Sequence, residues 1–257
     1  SLPDTWADVA ELAQATRAAP SGVAIALNPN HAYCAFLAVG VSLAGRRFWP
    51  AGGHVDRSAA RESLEFLRRL ATLVHPASRE EDPIAVSDRM TRTDEILYVP
   101  LMFGYSSYAR RGFRPHLLRF ANAPRGPDGM RGSVLGGVGL ALSARSRHRA
   151  DAGDLAREIA APDAQAGIYA SAGGQPGHST AWDSPSVNSQ AGDFFHAVRA
   201  TMEQAFMRPR VAGHRQFQQL AGERIHRSIW AHDDSIDECL ADYARLVDAL
   251  LSSEVIR

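Results

Sequence analysis

Residues 93–110, TDEILYVPLMFGYSSYAR, are the stretch on which the fold turns. The apolar run 96–103 has the length of a buried strand and stops at Gly104, where the backbone can turn without a Cβ penalty. Tyr105, Ser106, Ser107 and Tyr108 follow at once. Rings and hydroxyls displayed where a buried strand ends suit a polar ligand with apolar faces, because stacking supplies area and hydroxyls supply direction. Three readings stand side by side: a binding loop, an ordinary strand end with surface tyrosines, and a serine hydrolase. The last rests on Gly104-Tyr105-Ser106, the first half of a G-x-S-x-G elbow with Ser106 as nucleophile. Against it, Tyr108 occupies the fifth position, where a close helix–strand crossing leaves no room for a ring.

Upstream, Pro3-Asp4-Thr5 offers helix-start chemistry, and Trp6, Val9, Ala10, Leu12 and Ala13 keep helical spacing. Ser21-Gly22 breaks that pattern, and 23–27 reads as a second buried strand. Asn28-Pro29-Asn30-His31 then forms a polar loop before a helix over 32–44 closed by Gly45. In open α/β sheets ligands sit at such strand ends, although Asn30 could equally serve only to start the helix. Gly52-Gly53 turns the chain, and Asp56-Arg57-Ser58 caps an amphipathic helix over 59–73 with Leu64, Leu67 and Leu70 on one face.

Downstream, the Pro/Gly-dense run 123–129 is the best linker candidate. GSVLGGVGLALS, residues 132–143, reads as a glycine-rich strand, followed by a helix over 146–160. It is not a dinucleotide loop, since G-x-G-x-x-G needs a helix directly after its glycines and here an apolar strand follows. A second flexible crossing, 171–178, leads to helices over 186–206, 216–230 and 235–251. His214, His226 and His232 with Asp233-Asp234 lack the i, i+4 pattern of a metal site, so neither metal nor cofactor is expected.

Composition narrows the function classes. The 28 basic residues, all Arg, balance 28 acidic ones, so no net field draws the chain to nucleic acid or anionic lipid. Two cysteines, Cys34 and Cys239, imply no disulfide framework or zinc cluster. No stretch is long and apolar enough to span a membrane. The opening Ser1-Leu2-Pro3-Asp4-Thr5-Trp6 looks like a mid-protein junction, with no signal peptide.

The ordered set of segments resembles the carboxyl-terminal two-thirds of the extracellular solute-binding proteins of carbohydrate ABC transporters, the maltose-binding-protein-like family. Pro3-Asp4-Thr5-Trp6-Ala7-Asp8 looks like the family's P-x-T-W-x-E helix start, with Asp8 where Glu is usual. Residues 93–110 are similar to a form with the motif GYSNYAR, with Ser107 replacing Asn. Residues 136–143 look like the GG-x-G-[IL]-A-[IV]-S strand, Gly173-Gly174-Gln175-Pro176 like its return crossing, and 194–199 like the aromatic helix start facing the cleft. The resemblance covers nearly the whole chain, but the amino-terminal third of the usual family chain is missing.

What the resemblance implies is an α/β, type II periplasmic-binding-protein-like fold, mostly the carboxyl-terminal lobe. Residues 1–120 and 174–257 would form that lobe, and 121–173 a returning strand–helix segment of the amino-terminal lobe. Alone, that segment's strand would lose sheet neighbours, so either the fragment reorganises or a second chain supplies the rest. The implied role is not enzymatic: a substrate-binding component of an importer, periplasmic or extracytoplasmic, serving an ABC permease. Tyr105, Trp182 and Phe195 are the expected stacking platforms for a carbohydrate. Asn30, His31, Gln175, His178 and Arg199 are the expected hydroxyl or carboxylate partners, joined by Tyr33 and Ser106, with Gly136 and Gly137 permitting backbone contact. Besides the hydrolase, a lobe that binds no ligand and only associates with a partner is the other alternative.

Overall fold

In the computed structural model, residues 2–48, 54–231 and 233–254 are described, so the turn expected at Gly52-Gly53 and the role weighed for His232 lie outside the described residues. Helix α1 (Trp6–Thr16) starts on a reciprocal cap: Asp8 N donates to Thr5 Oγ1 at 3.1 Å, and Thr5 N to the Asp8 carboxylate at 2.9 Å. Strand β1 (Gly22–Val23) follows, then α2 (Pro29–Ala44), capped by Asn28 rather than Asn30 and ended at Gly45 with φ 57. Helix α3 (Arg57–Ala71) is capped by Asp56 and buries Leu64, Leu67 and Leu70 as its spacing requires. Helix α4 (Pro83–Met90), capped by Asp82, is an element that sequence periodicity did not announce.

Strand β2 (Ile96–Tyr98) pairs in parallel with β1. Both strands are shorter than their apolar runs. Residues 24–27 stay fully or nearly fully buried, but after Ala24, whose N donates to Tyr98 O at 3.0 Å, the backbone turns to Ser78: Leu27 N donates to Ser78 O at 2.9 Å and Ile25 N to Ser78 Oγ at 3.1 Å. A serine-bearing turn does there what another strand would do. Further on lie α5 (Arg149–Ala160), α6 (His214–Trp230) and α7 (Ile236–Glu254).

Two expected elements take another form. The helix over 186–206 is broken into Pro185–Gln190, Phe194–Ala197 and Arg199–Glu203, because Gly192 and Asp193 both take positive φ (55 and 61) between the first two. The strand over 132–143 is not formed. Val134 makes a single parallel bridge to Phe206, and 136–143 run exposed, with Val138 97% accessible. Among the described residues no strand lies beside them, and an extended segment without ladder partners leaves its backbone to water.

The chain divides into two compact units: 1–102, 122–135 and 200–257 in the first; 103–121 and 136–199 in the second. These limits differ from the breaks expected at 120 and 173. In unit 1, α2 is buried on nearly every side and packs against α3 and α6, around Tyr33, Phe36, Phe217 and Tyr243. Gly132 lets the 122–135 segment lie directly on α2, since a Cβ there would fall 1.9 Å from Ala38 O. Unit 2 is smaller, with Ala109, Ala170, Val187, Ala191, Phe194 and Phe195 as its core.

Candidate functional site

The expected binding residues fall into two sets, one in each unit. Asn30, His31 and Tyr33 belong to unit 1; the other nine belong to unit 2. Each set is described within its own unit.

In unit 2 the apolar run that ends at Gly104 gives way to a one-turn 3₁₀ helix, Ser106–Ala109. Gly104 fits tightly there, with the Phe194 ring 3.1 Å from where a Cβ would be. The Gln175 side chain brackets this turn: its Oε1 accepts from Ser106 N at 2.9 Å and its Nε2 donates to Gly104 O at 3.2 Å. Arg110 adds a second tie, donating to Ala170 O at 3.1 Å and Gly174 O at 3.4 Å. Tyr105, between the two bonded residues, is left 37% exposed, and Gln175 is exposed as well.

An aromatic–polar pair lies in the same unit. Trp182 donates its indole N–H to Pro176 O at 2.8 Å, which fixes the ring. The Arg199 guanidinium stands 5.6 Å from the centre of that ring and donates to Asp183 Oδ1 at 2.7 Å. Neither Asp183 nor the Pro176 carbonyl was singled out from sequence, since nothing in their spacing marks them. His178 caps the turn Ser179–Trp182, its Nδ1 2.8 Å from Thr180 Oγ1.

Several expected roles do not fit the burial. Phe195 is 3% exposed and packs edge-on against Phe194 at 5.1 Å, so it serves as core rather than as a stacking platform. Tyr33 is fully buried between Phe217 and Tyr243 (5.9 and 6.5 Å between ring centres) and shows no face to a ligand. Burial pushes the Tyr33 phenol up, and it stays protonated. Ser106 is 2% exposed. It opens a 3₁₀ turn instead of standing on a strained elbow, and the one described non-glycine residue with positive φ is Asp193. Gly136 lies over the Phe103 ring, where a Cβ would come within 2.8 Å, while Gly137 meets nothing within 4 Å. Gly136 is thus required by packing on Phe103.

In unit 1, Asn30 is exposed in the first turn of α2, and its Oδ1 accepts from Gln218 Nε2, while Gln218 Oε1 accepts from Arg208 Nη1. Gln218 and Arg208 were not anticipated, because they come from chain nearly two hundred residues away. His31 Nδ1 lies 2.8 Å from Asn28 Oδ1, an acceptor that also takes the His31 backbone N–H. The ring therefore carries its proton on Nδ1 and keeps Nε2 as an acceptor. Burial holds its pKa below the ordinary value, with Arg208 adding to the effect and Asp82 opposing it, so the ring is neutral at neutral pH. A hollow of about 310 Å³ in the same unit is lined by Pro29, Arg79, Glu223, His226, Arg227, Trp230 and Ala231, and holds none of the expected residues.

No group of three or more His, Cys, Asp or Glu among the described residues is placed to hold a metal ion. His226 Nε2 lies 3.1 Å from Arg79 O. Cys34 and Cys239 are both buried and free, and burial pushes the Cys34 thiol up to about 11, far from a reactive thiolate.

Set beside solved structures, this architecture has clear counterparts. Over 97% of its length the chain superposes on maltose-bound MalE3 of T. maritima, with a TM-score of 0.78 and 20% identity. An ABC transporter solute-binding protein from Thermotoga lettingae TMO, bound with alpha-D-tagatose, matches 98% of the chain at a TM-score of 0.77 and 17% identity. The sugar-binding protein MalE from Xanthomonas citri matches all of it, at 0.71 and 18%. The fold is that of a type II periplasmic binding protein. The chain spans 66%, 65% and 66% of those three proteins, so it corresponds to part of that fold. No protein-family model matches the sequence, and no curated protein does. Among the described residues no helix is long and apolar enough to cross a membrane.

Proposed function

We propose that this chain carries the carbohydrate-recognising part of a solute-binding protein that delivers its ligand to an ABC permease outside the cytoplasmic membrane, and that it binds rather than catalyses. The observation that carries this is two aromatic rings set among polar groups in unit 2: Tyr105, 37% exposed between the two residues that Gln175 bonds, and Trp182, beneath the Arg199 guanidinium. Sugars have apolar C–H faces and hydroxyl rims, and rings so placed address both at once. The likeness to proteins solved with maltose, alpha-D-tagatose and D-mannitol supports the ligand class. Unit 1 would be the larger part of the carboxyl-terminal lobe, with Asn30 and His31 as hydrogen-bonding groups within it. Gln175 and His178 would orient ligand hydroxyls, and Arg199 a hydroxyl or carboxylate. Gly137, with open space around it, would allow backbone contact.

A ligand that binds only the folded chain raises its melting temperature, so a thermal-shift screen over maltose, tagatose, mannitol and related sugars is the direct test. The Tyr105→Ala variant should weaken the best sugar about tenfold while leaving the sugar-free melting temperature in place. Equal affinity in Tyr105→Ala and Trp182→Ala would remove both rings from the site.

A further inference from the structure

We propose that the loop 111–117 of unit 2, together with Arg119, is a docking surface for an anionic phospholipid membrane. The chain as a whole is neutral, yet between residues 103 and 121 it carries Arg110, Arg111, Arg114 and Arg119 and no acidic residue. Arg110 is spent on the carbonyls of Ala170 and Gly174. Arg111 and Arg119 are exposed and have no ion-pair partner among the described residues. Between them stand two exposed apolar side chains, Phe113 at 41% and Leu117 at 45%. The base of the loop is fixed: Leu118 and Tyr108 are buried, and Leu118 N donates to Tyr108 O at 3.0 Å. Gly112, with φ 84, makes the turn that lifts the tip.

Apolar tips flanked by guanidinium groups match the boundary of a bilayer, where rings and aliphatic chains enter the acyl edge and cations meet phosphate headgroups. A fluid surface needs no shaped groove, and the loop is built of turns with no strand edge on which a peptide could add. Nucleic acid fits less well. The Arg114 guanidinium covers the Phe113 ring, 4.4 Å from its centre, so that face is not open to a base. The inference goes beyond sugar binding and does not depend on it.

The test is co-sedimentation of the full chain with vesicles of phosphatidylglycerol mixed with phosphatidylcholine, and with phosphatidylcholine alone. The chain should bind the mixed vesicles, less as salt rises, and leave the neutral ones in solution. At about fivefold per arginine, the R111Q/R119Q pair should weaken binding about 25-fold, whereas R111K/R119K should retain most of it. F113S should weaken it to a smaller extent. Unchanged circular dichroism in each variant separates loss of binding from loss of fold. The inference is overturned by no binding to phosphatidylglycerol, by equal binding to neutral vesicles, or by undiminished binding in R111Q/R119Q. Tighter binding to a polyglutamate peptide or a DNA oligonucleotide at the same salt would overturn it too.

Discussion

Unit 1 is assembled round one helix, α2, which is apolar on nearly every side and packed against α3 and α6. Unit 2 contains no helix longer than the 12 residues of α5 among those described, and its core is six small or aromatic side chains. What holds unit 2 together is largely polar: the Gln175 amide across Gly104 and Ser106, Arg110 on two carbonyls, and Asn188 Nδ2 on Trp182 O at 2.7 Å. The contrast shows two ways of making a chain rigid. Apolar burial scales with area, whereas side-chain bonds to backbone fix individual turns and leave the surrounding surface available for binding.

The largest expected effect probes that contrast directly. Phe36 is fully buried, with Phe48 and Tyr243 each at 5.6 Å, and Phe36→Ala should destabilise unit 1 by about 3–5 kcal/mol in urea unfolding. Phe195→Ala should shift a separate, earlier transition belonging to unit 2. A single transition moved equally by both variants would erase the distinction between the units. Next in size is Gly132→Ala, whose new methyl would press on Ala38 O and should cost about 1–3 kcal/mol, read from the same denaturation curves.

A smaller effect concerns acid. Burial alone would raise the Asp234 carboxyl, but the hydrogen bond from Arg224 at 2.7 Å and the nearby Arg68 overrule it, and its pKa falls below the ordinary 3.8. The pair's contribution is therefore complete above the ordinary value and is lost as pH falls through the lowered one. Asp234→Asn should show a shallower loss of melting temperature between about pH 5 and about pH 3 than the parent chain. An identical slope would mean the pair does not act on unit 1. The smallest change is Thr5→Ala, which removes one half of the reciprocal cap on α1 and should cost about 1 kcal/mol, seen as a slightly lower denaturation midpoint.

Much of the helical frame was legible in the chain. The caps Thr5 and Asp56, the stop at Gly45 and the leucine stripe of α3 are all local features, and local chemistry suffices to place them, whereas the cap of α2 falls on Asn28 and not on Asn30. The strands were less legible. Periodicity saw two buried apolar runs and could not tell that the backbone at Ile25 and Leu27 would bond to Ser78 in place of a strand. The candidate site was legible in part: Tyr105 and Gln175 were singled out separately and prove to be neighbours. Phe195 and Tyr33 were singled out as aromatic, and aromatic residues are as ready to form a core as to line a site.

Sequence alone determined the starts of α1 and α3, the stop of α2 at Gly45 and which stretches are apolar, because caps, glycines and spacing act within a few residues. Only the tertiary structure decided which aromatic rings face outward and which side chain brackets which turn. Those outcomes depend on burial and on partners such as Gln218 for Asn30 and Gln175 for Ser106, brought together from distant parts of the chain.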